Sequence, residues 1–190
     1  MKAGPRGIIG TRLGRDTPLL TPDGGGASLG DLATGEWLVI QLVRYFGCLP
    51  CQEWLIALDA AAPDLAARGI RAAAIGGSAD YQARWLRDDR GVQMPLLLDP
   101  GHGLRDALGA SDPLGARLAD PRGVAAYVGA LARGARPQRI TSDTVRRPGV
   151  VGLDRDLTVR WMHVGRRIGD YPPLGHVLEV VRGLASGSQA

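Results

Sequence analysis

The feature that most restricts what this chain can fold into is a buried-strand pattern running straight into a pair of cysteines. Leu38 to Val43 is a run of aliphatic residues broken only by Gln41, and Gly47 follows just ahead of Cys48-Leu49-Pro50-Cys51. Such a run has the length and composition of a central strand, while the residues after the cysteines switch to helical spacing. Cys48 therefore falls where a strand hands over to a helix N-terminus, with Cys51 one turn later. Unpaired main-chain N–H groups and the positive end of the helix dipole favour thiolate over thiol there.

The rest of the chain supplies partners for that strand. Thr17 to Leu32 reads as a short hairpin turning at Asp23-Gly24, and the first sixteen residues as a loose arm. Trp54, Leu55, Leu58, Ala61, Ala62 and Leu65 line one face of a helix over Pro50 to Arg68, with a kink expected at Pro63. Ile70 to Ile75 is a second apolar strand, so the unit strand, helix, strand builds a parallel pair. A helix over Ala79 to Arg90 should turn Tyr81, Trp85 and Leu86 inward; a strand at Pro95 to Asp99 and a short helix at Leu104 to Leu108 follow.

From Ala110 to Val145 the pattern weakens to Gly, Pro, Asp and Arg around one helix at Gly123 to Leu131, an excursion long enough to cover a site. Pro148 then precedes two strands, Gly149 to Leu153 and Leu157 to His163, joined at Asp154-Arg155-Asp156. A last amphipathic helix spans Leu174 to Leu184, and residues 186–190 read as a tail. The expectation is an α/β domain over residues 17–185, with a central mixed sheet flanked by helices and an insertion at 110–145 before the last strand hairpin.

Composition narrows the function classes. The net charge of +4 comes from arginines scattered through an Ala- and Gly-rich background, since Lys2 is the only lysine. There is no basic stripe interleaved with aromatics, so nucleic acid is not an expected partner. No stretch reaches the roughly 20 apolar residues of a membrane span, and Gly4, Pro5 and Arg6 interrupt the apolar segment a secretory leader needs, so a cytoplasmic location is expected.

Two cysteines three residues apart suit a redox pair. Their Cα atoms would lie within the roughly 4.4–6.8 Å a disulfide tolerates, and Pro50 costs the first turn no hydrogen bond. Cys48, nearer the open helix end, is expected to have the lower pKa and attack, and Cys51 to resolve. A buried inert pair and a metal site are the competing readings; His102, His163 and His176 lack the paired spacing of a zinc finger, so no metal or cofactor is expected. Arg44, four residues before Cys48, and Arg147, just before Pro148, are candidates to stabilise a thiolate and a leaving oxyanion.

The order hairpin, strand, Cys-Leu-Pro-Cys, helix, strand, excursion, Pro148, strand hairpin, helix resembles the thioredoxin fold. Pro148 is similar in place to that fold's cis-proline facing the cysteines. Ser28-Leu29-Gly30-Asp31-Leu32 and the hairpin Val150 to Gly165 carry the likeness further, to the peroxiredoxin-like AhpC/TSA family and its type 2 branch, over roughly Thr17 to Leu184. The resemblance implies a thiol oxidoreductase that reduces a peroxide, with an external thiol reductant such as a thioredoxin-like protein, and allows a homodimer and a bulkier organic peroxide. Gln41 and Tyr45 stand where peroxiredoxins carry Pro and Thr or Ser ahead of the cysteine, so the hydroxyl that holds hydrogen peroxide is missing. Disulfide exchange on protein substrates and a redox-inert binding module remain open alternatives.

Overall fold

The computed structural model describes residues 7–187. Its centre is a mixed seven-stranded sheet built from β1 (Pro18–Leu20), β2 (Gly26–Ser28), β3 (Trp37–Leu42), β4 (Ile70–Gly76), β5 (Leu96–Leu98), β6 (Gly149–Asp154) and β7 (Val159–Val164), in spatial order β2-β1-β5-β4-β3-β6-β7. β3, β4 and β5 run parallel, while β6 lies antiparallel to β3 and pairs Leu42 with Gly149. The strand read from the aliphatic run thus sits in the interior of the sheet, every residue of it buried.

Alternation along β3 separates two cores. Trp37, Val39 and Val43 pack beneath α2 (Leu49–Ala66), in the cluster that also holds both cysteines, whereas Leu38, Ile40 and Leu42 face the other side with Leu153 and Val159. Each such aliphatic side chain contributes about 1.5–3 kcal/mol by leaving water. Gln41 shares the face of Val39 and Val43, which sends a polar side chain into the core under α2. Further helices are α1 (Leu29–Leu32), closed by a Ser28–Asp31 capping box, α3 (Asp80–Asp88), α4 (Gly103–Ala107), α5 (Pro121–Ala132) and α6 (Leu174–Gly187).

Several expectations are corrected. Residues 7–16 are no loose arm: Leu13 is buried, its N–H donates to the Leu157 carbonyl, and Arg12 bridges Thr158 at the hairpin end. The first six residues of the expected arm and the last three of the tail lie outside the described residues, and Ser186 and Gly187 belong to α6. α2 carries Pro63 without interruption. Tyr81 points outward at 43% exposure, while Leu86 is buried. The 110–145 insertion holds more than one helix: 3-10 turns at Gly115–Ala119 and Ser142–Val145 flank α5, whose first N–H groups are capped by Asp120.

Candidate active site

The cysteines sit at the end of the sheet where β3 and β4 finish. Cys48 is the N-cap of α2 in an extended conformation, and its carbonyl accepts from the Gln52 N–H, so helical geometry begins immediately behind it. No side chain caps the helix, and Pro50 occupies its first turn, where no N–H is needed. Both cysteines are free and fully buried.

Arg44 is the cation that meets them. The residue is 1% exposed, and Nη1 donates to Cys48 Sγ at 3.6 Å. Nε donates to the Arg146 carbonyl at 3.2 Å and Nη2 to the Thr144 carbonyl. A charge buried this deeply is sustained by pairing with the sulfur and by carbonyls on the second 3-10 turn and the residue that follows it. The turn is itself pinned: Asp143 accepts from the Ser78 N–H and hydroxyl and lies 3.3 Å from His102 Nε2.

Of the two thiol protons, one is easily lost and the other is held tightly. Burial raises the Cys51 pKa, but the neighbouring Cys48 thiol and the Arg44 charge outweigh it and bring it down to about 7. Burial and the neighbouring sulfur push Cys48 well above the usual thiol range, despite Arg44 and the Cys51 N–H aimed at it. The order of acidity is the reverse of that expected from helix position. Cys48 has the open helix end, but burial and the neighbouring sulfur outweigh it there.

A lid closes over the pair. Gly169 packs against Pro50 and Ala126, and Gly123 against Ile168, so α5 and the segment before α6 meet above the start of α2. Burial raises the pKa of the Tyr127 hydroxyl on α5 and of the Tyr45 hydroxyl beneath it. The insertion thus covers the site.

The family model for the AhpC/TSA family matches residues 15–162. The chain belongs to the AhpC/TSA family. Solved structures with the same fold include Enterococcus faecalis AhpC, at 10% identity and a TM-score of 0.69 over 96% of this chain and 95% of that one. A cysteine-to-serine mutant of Xanthomonas campestris peroxiredoxin Q is 16% identical, with a TM-score of 0.63 over 95% and 99%. The X. campestris bacterioferritin comigratory protein, solved in connection with its alkyl peroxide reduction activity, is 14% identical with a TM-score of 0.60 over 91% and 92%. No curated protein matches the sequence. The peroxiredoxin resemblance read from the motifs and the α/β, thioredoxin-like architecture both hold, and membership makes the chain a thiol-dependent oxidoreductase.

Within that family frame the expected residues divide. Arg44, Cys48 and Cys51 are brought together. Arg147 is not at the sulfurs: its side chain turns to Asp112 in the insertion at 3.8 Å, and its carbonyl accepts from Arg105 Nη1 at 2.9 Å. Pro148 is buried at the start of β6 with a trans peptide bond, its ring near Gly165 and its carbonyl accepting the Gly165 N–H. It places β6 against the end of β3.

Gln41, which stands where the family has Pro, donates from Nε2 to the Cys51 carbonyl at 3.0 Å, while its Oε1 is buried without a partner. Tyr45, where the family has Thr or Ser, is buried under the lid. Sequence reasoning passed over Arg105, fully buried and bonded to the Val43 and Arg147 carbonyls, and Tyr171. Arg105 ties the strand leading to Arg44 to the segment leading into β6. Its only signal was an arginine next to the apolar Leu104 on a short helix.

Proposed function

We propose that this chain reduces a peroxide through the Cys48–Cys51 pair, with Cys48 attacking and Cys51 closing the disulfide. The observation that carries the reading is a buried guanidinium, Arg44, 3.6 Å from Cys48 Sγ and balanced by no carboxylate hydrogen bond. A cation so placed stabilises an anionic sulfur and the oxyanion that departs when an O–O bond breaks.

Above about pH 7 the reduced pair carries one proton, on Cys48, beside a Cys51 thiolate. Cys51 takes the Cys48 proton as the Cys48 sulfur bonds to the terminal peroxide oxygen and the O–O bond breaks. The departing alkoxide or hydroxide takes that proton from Cys51 and leaves as alcohol or water, with Cys48 now a sulfenic acid. Cys51, again a thiolate, attacks the Cys48 sulfur and expels hydroxide, which solvent protonates. An external thiol reductant reopens the disulfide, and a cytoplasmic, reducing setting suits that cycle.

Complete burial of both sulfurs requires the lid formed by α5 and the Gly169 segment to yield before substrate enters. A small peroxide needs a smaller opening than a protein disulfide does, which favours peroxide reduction over disulfide exchange. Without a Thr or Ser hydroxyl ahead of Cys48, an organic peroxide is the better substrate, as in the alkyl peroxide reduction named for the X. campestris protein. A homodimer is compatible with this chemistry and is not needed for it.

The test is a panel of hydrogen, alkyl and lipid peroxides with stopped-flow detection of peroxide loss. Cys48→Ser should consume none. Cys51→Ser should consume one equivalent and stop with sulfenic or sulfinic acid on Cys48. Peroxide loss unchanged in Cys48→Ser would contradict the reading.

A further inference from the structure

The lid helix is built inside out. The residues of α5 that bury completely are small, Gly123 and Ala130, while its larger aliphatic side chains, Val124, Val128 and Leu131, are 49%, 58% and 41% exposed. Spaced at i, i+4 and i+7, those three form one outward stripe. A helix that seats an amphipathic face on a core turns such residues the other way, and aliphatic side chains gathered on one exposed face mark an interaction surface.

Charge around α5 narrows what covers it. Arg117 on the turn before the helix, Arg122 in its first turn, and Arg136 and Arg139 beyond its end are all exposed, and among the described residues none of the four makes an ion pair. Asp120 is occupied in capping α5, and Glu53 is taken by Arg133 at 2.7 Å. Elsewhere on the surface Arg12, Arg87, Arg155 and Arg160 each meet a carboxylate. The stripe thus lies among cations that nothing neutralises. That is the pattern of a helix lying in a membrane interface, its apolar side toward acyl chains and its basic residues among anionic head groups. A second copy of the chain is a poor occupant, because a two-fold contact sets the same surface against itself and arginines would face arginines. A bilayer also needs no matching groove, and a stripe on one exposed helix provides none.

The position of this surface gives it a use. α5 is held over the cysteines by small residues, Gly123 against Ile168 and Ala126 against Gly169, which packs in turn on Pro50. We propose that the outer face of α5 docks on an anionic phospholipid surface, so that the lid opens at the bilayer and the cysteines meet lipid hydroperoxides there. The choice of substrate rests on the peroxide-reduction reading above; the docking does not. A hydroperoxide group on an acyl chain is costly to leave unpaired in hydrocarbon and rises toward the head groups, the zone roughly 5–10 Å deep that an interfacial helix reaches.

Sedimentation with vesicles tests the docking without any peroxide. The reduced protein should pellet with phosphatidylcholine vesicles that contain phosphatidylglycerol, much less with phosphatidylcholine alone, and added salt should weaken the binding. Each replacement in the series Arg122→Gln, Arg136→Gln and Arg139→Gln should lower the partition coefficient about fivefold. Val128→Ser combined with Leu131→Ser should lower it about tenfold. All five side chains are exposed, so circular dichroism and turnover of a water-soluble alkyl hydroperoxide should be unchanged.

Absence of vesicle binding, or binding indifferent to both sets of replacements, overturns the proposal. So does a concentration-dependent dimer that the Val128→Ser, Leu131→Ser pair abolishes while vesicles are ignored, which gives the face to a second copy. Arginine replacements that slow only the reopening of the disulfide by an acidic dithiol protein, again without vesicle binding, give it to the reductant and overturn the proposal equally. Vesicle-bound protein that leaves lipid and soluble hydroperoxides intact keeps the docking and removes the peroxidase reading. A protein that reduces soluble hydroperoxides but never binds vesicles does the reverse.

Discussion

The two ends of the central sheet are built on opposite terms. Where β3, β4 and β5 finish, Gln41, Arg44, Gln52, Gln82, Asp99, Arg105 and Asp143 are all buried, and they are the buried polar and charged side chains among the described residues. At the other end, charge stays in water: Arg155 pairs with Glu36 and Arg12 with Asp156, each partner about two-thirds exposed. A cleft of about 370 Å³ lined by Asp59, Pro63, Arg71 and Met94 also lies there, remote from the cysteines.

Burying ions and amides costs several kcal/mol apiece unless each finds partners. A fold that concentrates that cost at one end has a use for it, and the cysteines lie in its midst. The distal end is organised for solubility and turn closure.

If this contrast is right, equivalent changes at the two ends have unequal effects. Arg44→Met should lower the rate of peroxide reduction by about two to three orders of magnitude, the loss usual for a preorganised donor at a developing oxyanion. Stopped-flow kinetics would show it, and the thiolate midpoint should rise as well. Arg155→Met at the distal end should leave both unchanged, and a comparable loss there would break the comparison.

Glycines give the next contrast. A Cβ on Gly77 would collide with the Asp143 carboxylate, whereas one on Gly101 meets nothing within 4 Å. Gly77→Ala should therefore destabilise by about 1–3 kcal/mol, the usual cost of overpacking, and should loosen the turn that holds Arg44. Gly101→Ala should leave the urea midpoint within error.

The pH dependence follows from Cys51. A thiol whose pKa is lowered to about 7 is protonated below that value and anionic above it, so disulfide closure should accelerate as pH rises through about 7 and level off beyond. A rate that is flat across that range would mean the pair does not hold its protons as described. The smallest effect is expected for Glu36→Gln, which removes an exposed pair at 3.6 Å and should not measurably change thermal stability.

The contrast also explains what the sequence could and could not disclose. β3, the Cys-Leu-Pro-Cys turn and α2 are local events, written in adjacent residues by an aliphatic run, a glycine and a change of period. The parallel β4 and the last hairpin were legible for the same reason. Tyr171 was not, because it lies in what reads as a basic turn, and only docking of that turn on Trp54 brings its hydroxyl to the Leu42 carbonyl at the end of β3. Arg105 and Asp143 were hidden likewise: one arginine among many and one aspartate in a weakly patterned insertion acquire meaning from the carbonyls and N–H groups they meet 42 to 65 residues away.

Acidity was the instructive error. Helix position pointed to Cys48, but burial weighs on Cys48, while the neighbouring thiol and the Arg44 charge outweigh burial at Cys51. Arg147 and Pro148 were placed by analogy with a fold, and here both serve to seat β6.

The most direct test of the polar end as a redox site is intact-mass analysis of the reduced protein quenched at intervals after addition of one equivalent of an alkyl peroxide. The account predicts a single intramolecular Cys48–Cys51 disulfide, forming faster above pH 7 than below it and absent in Cys48→Ser. Two unmodified thiols after the peroxide has been consumed, or an unreacted peroxide beside a folded, reduced protein, would contradict it.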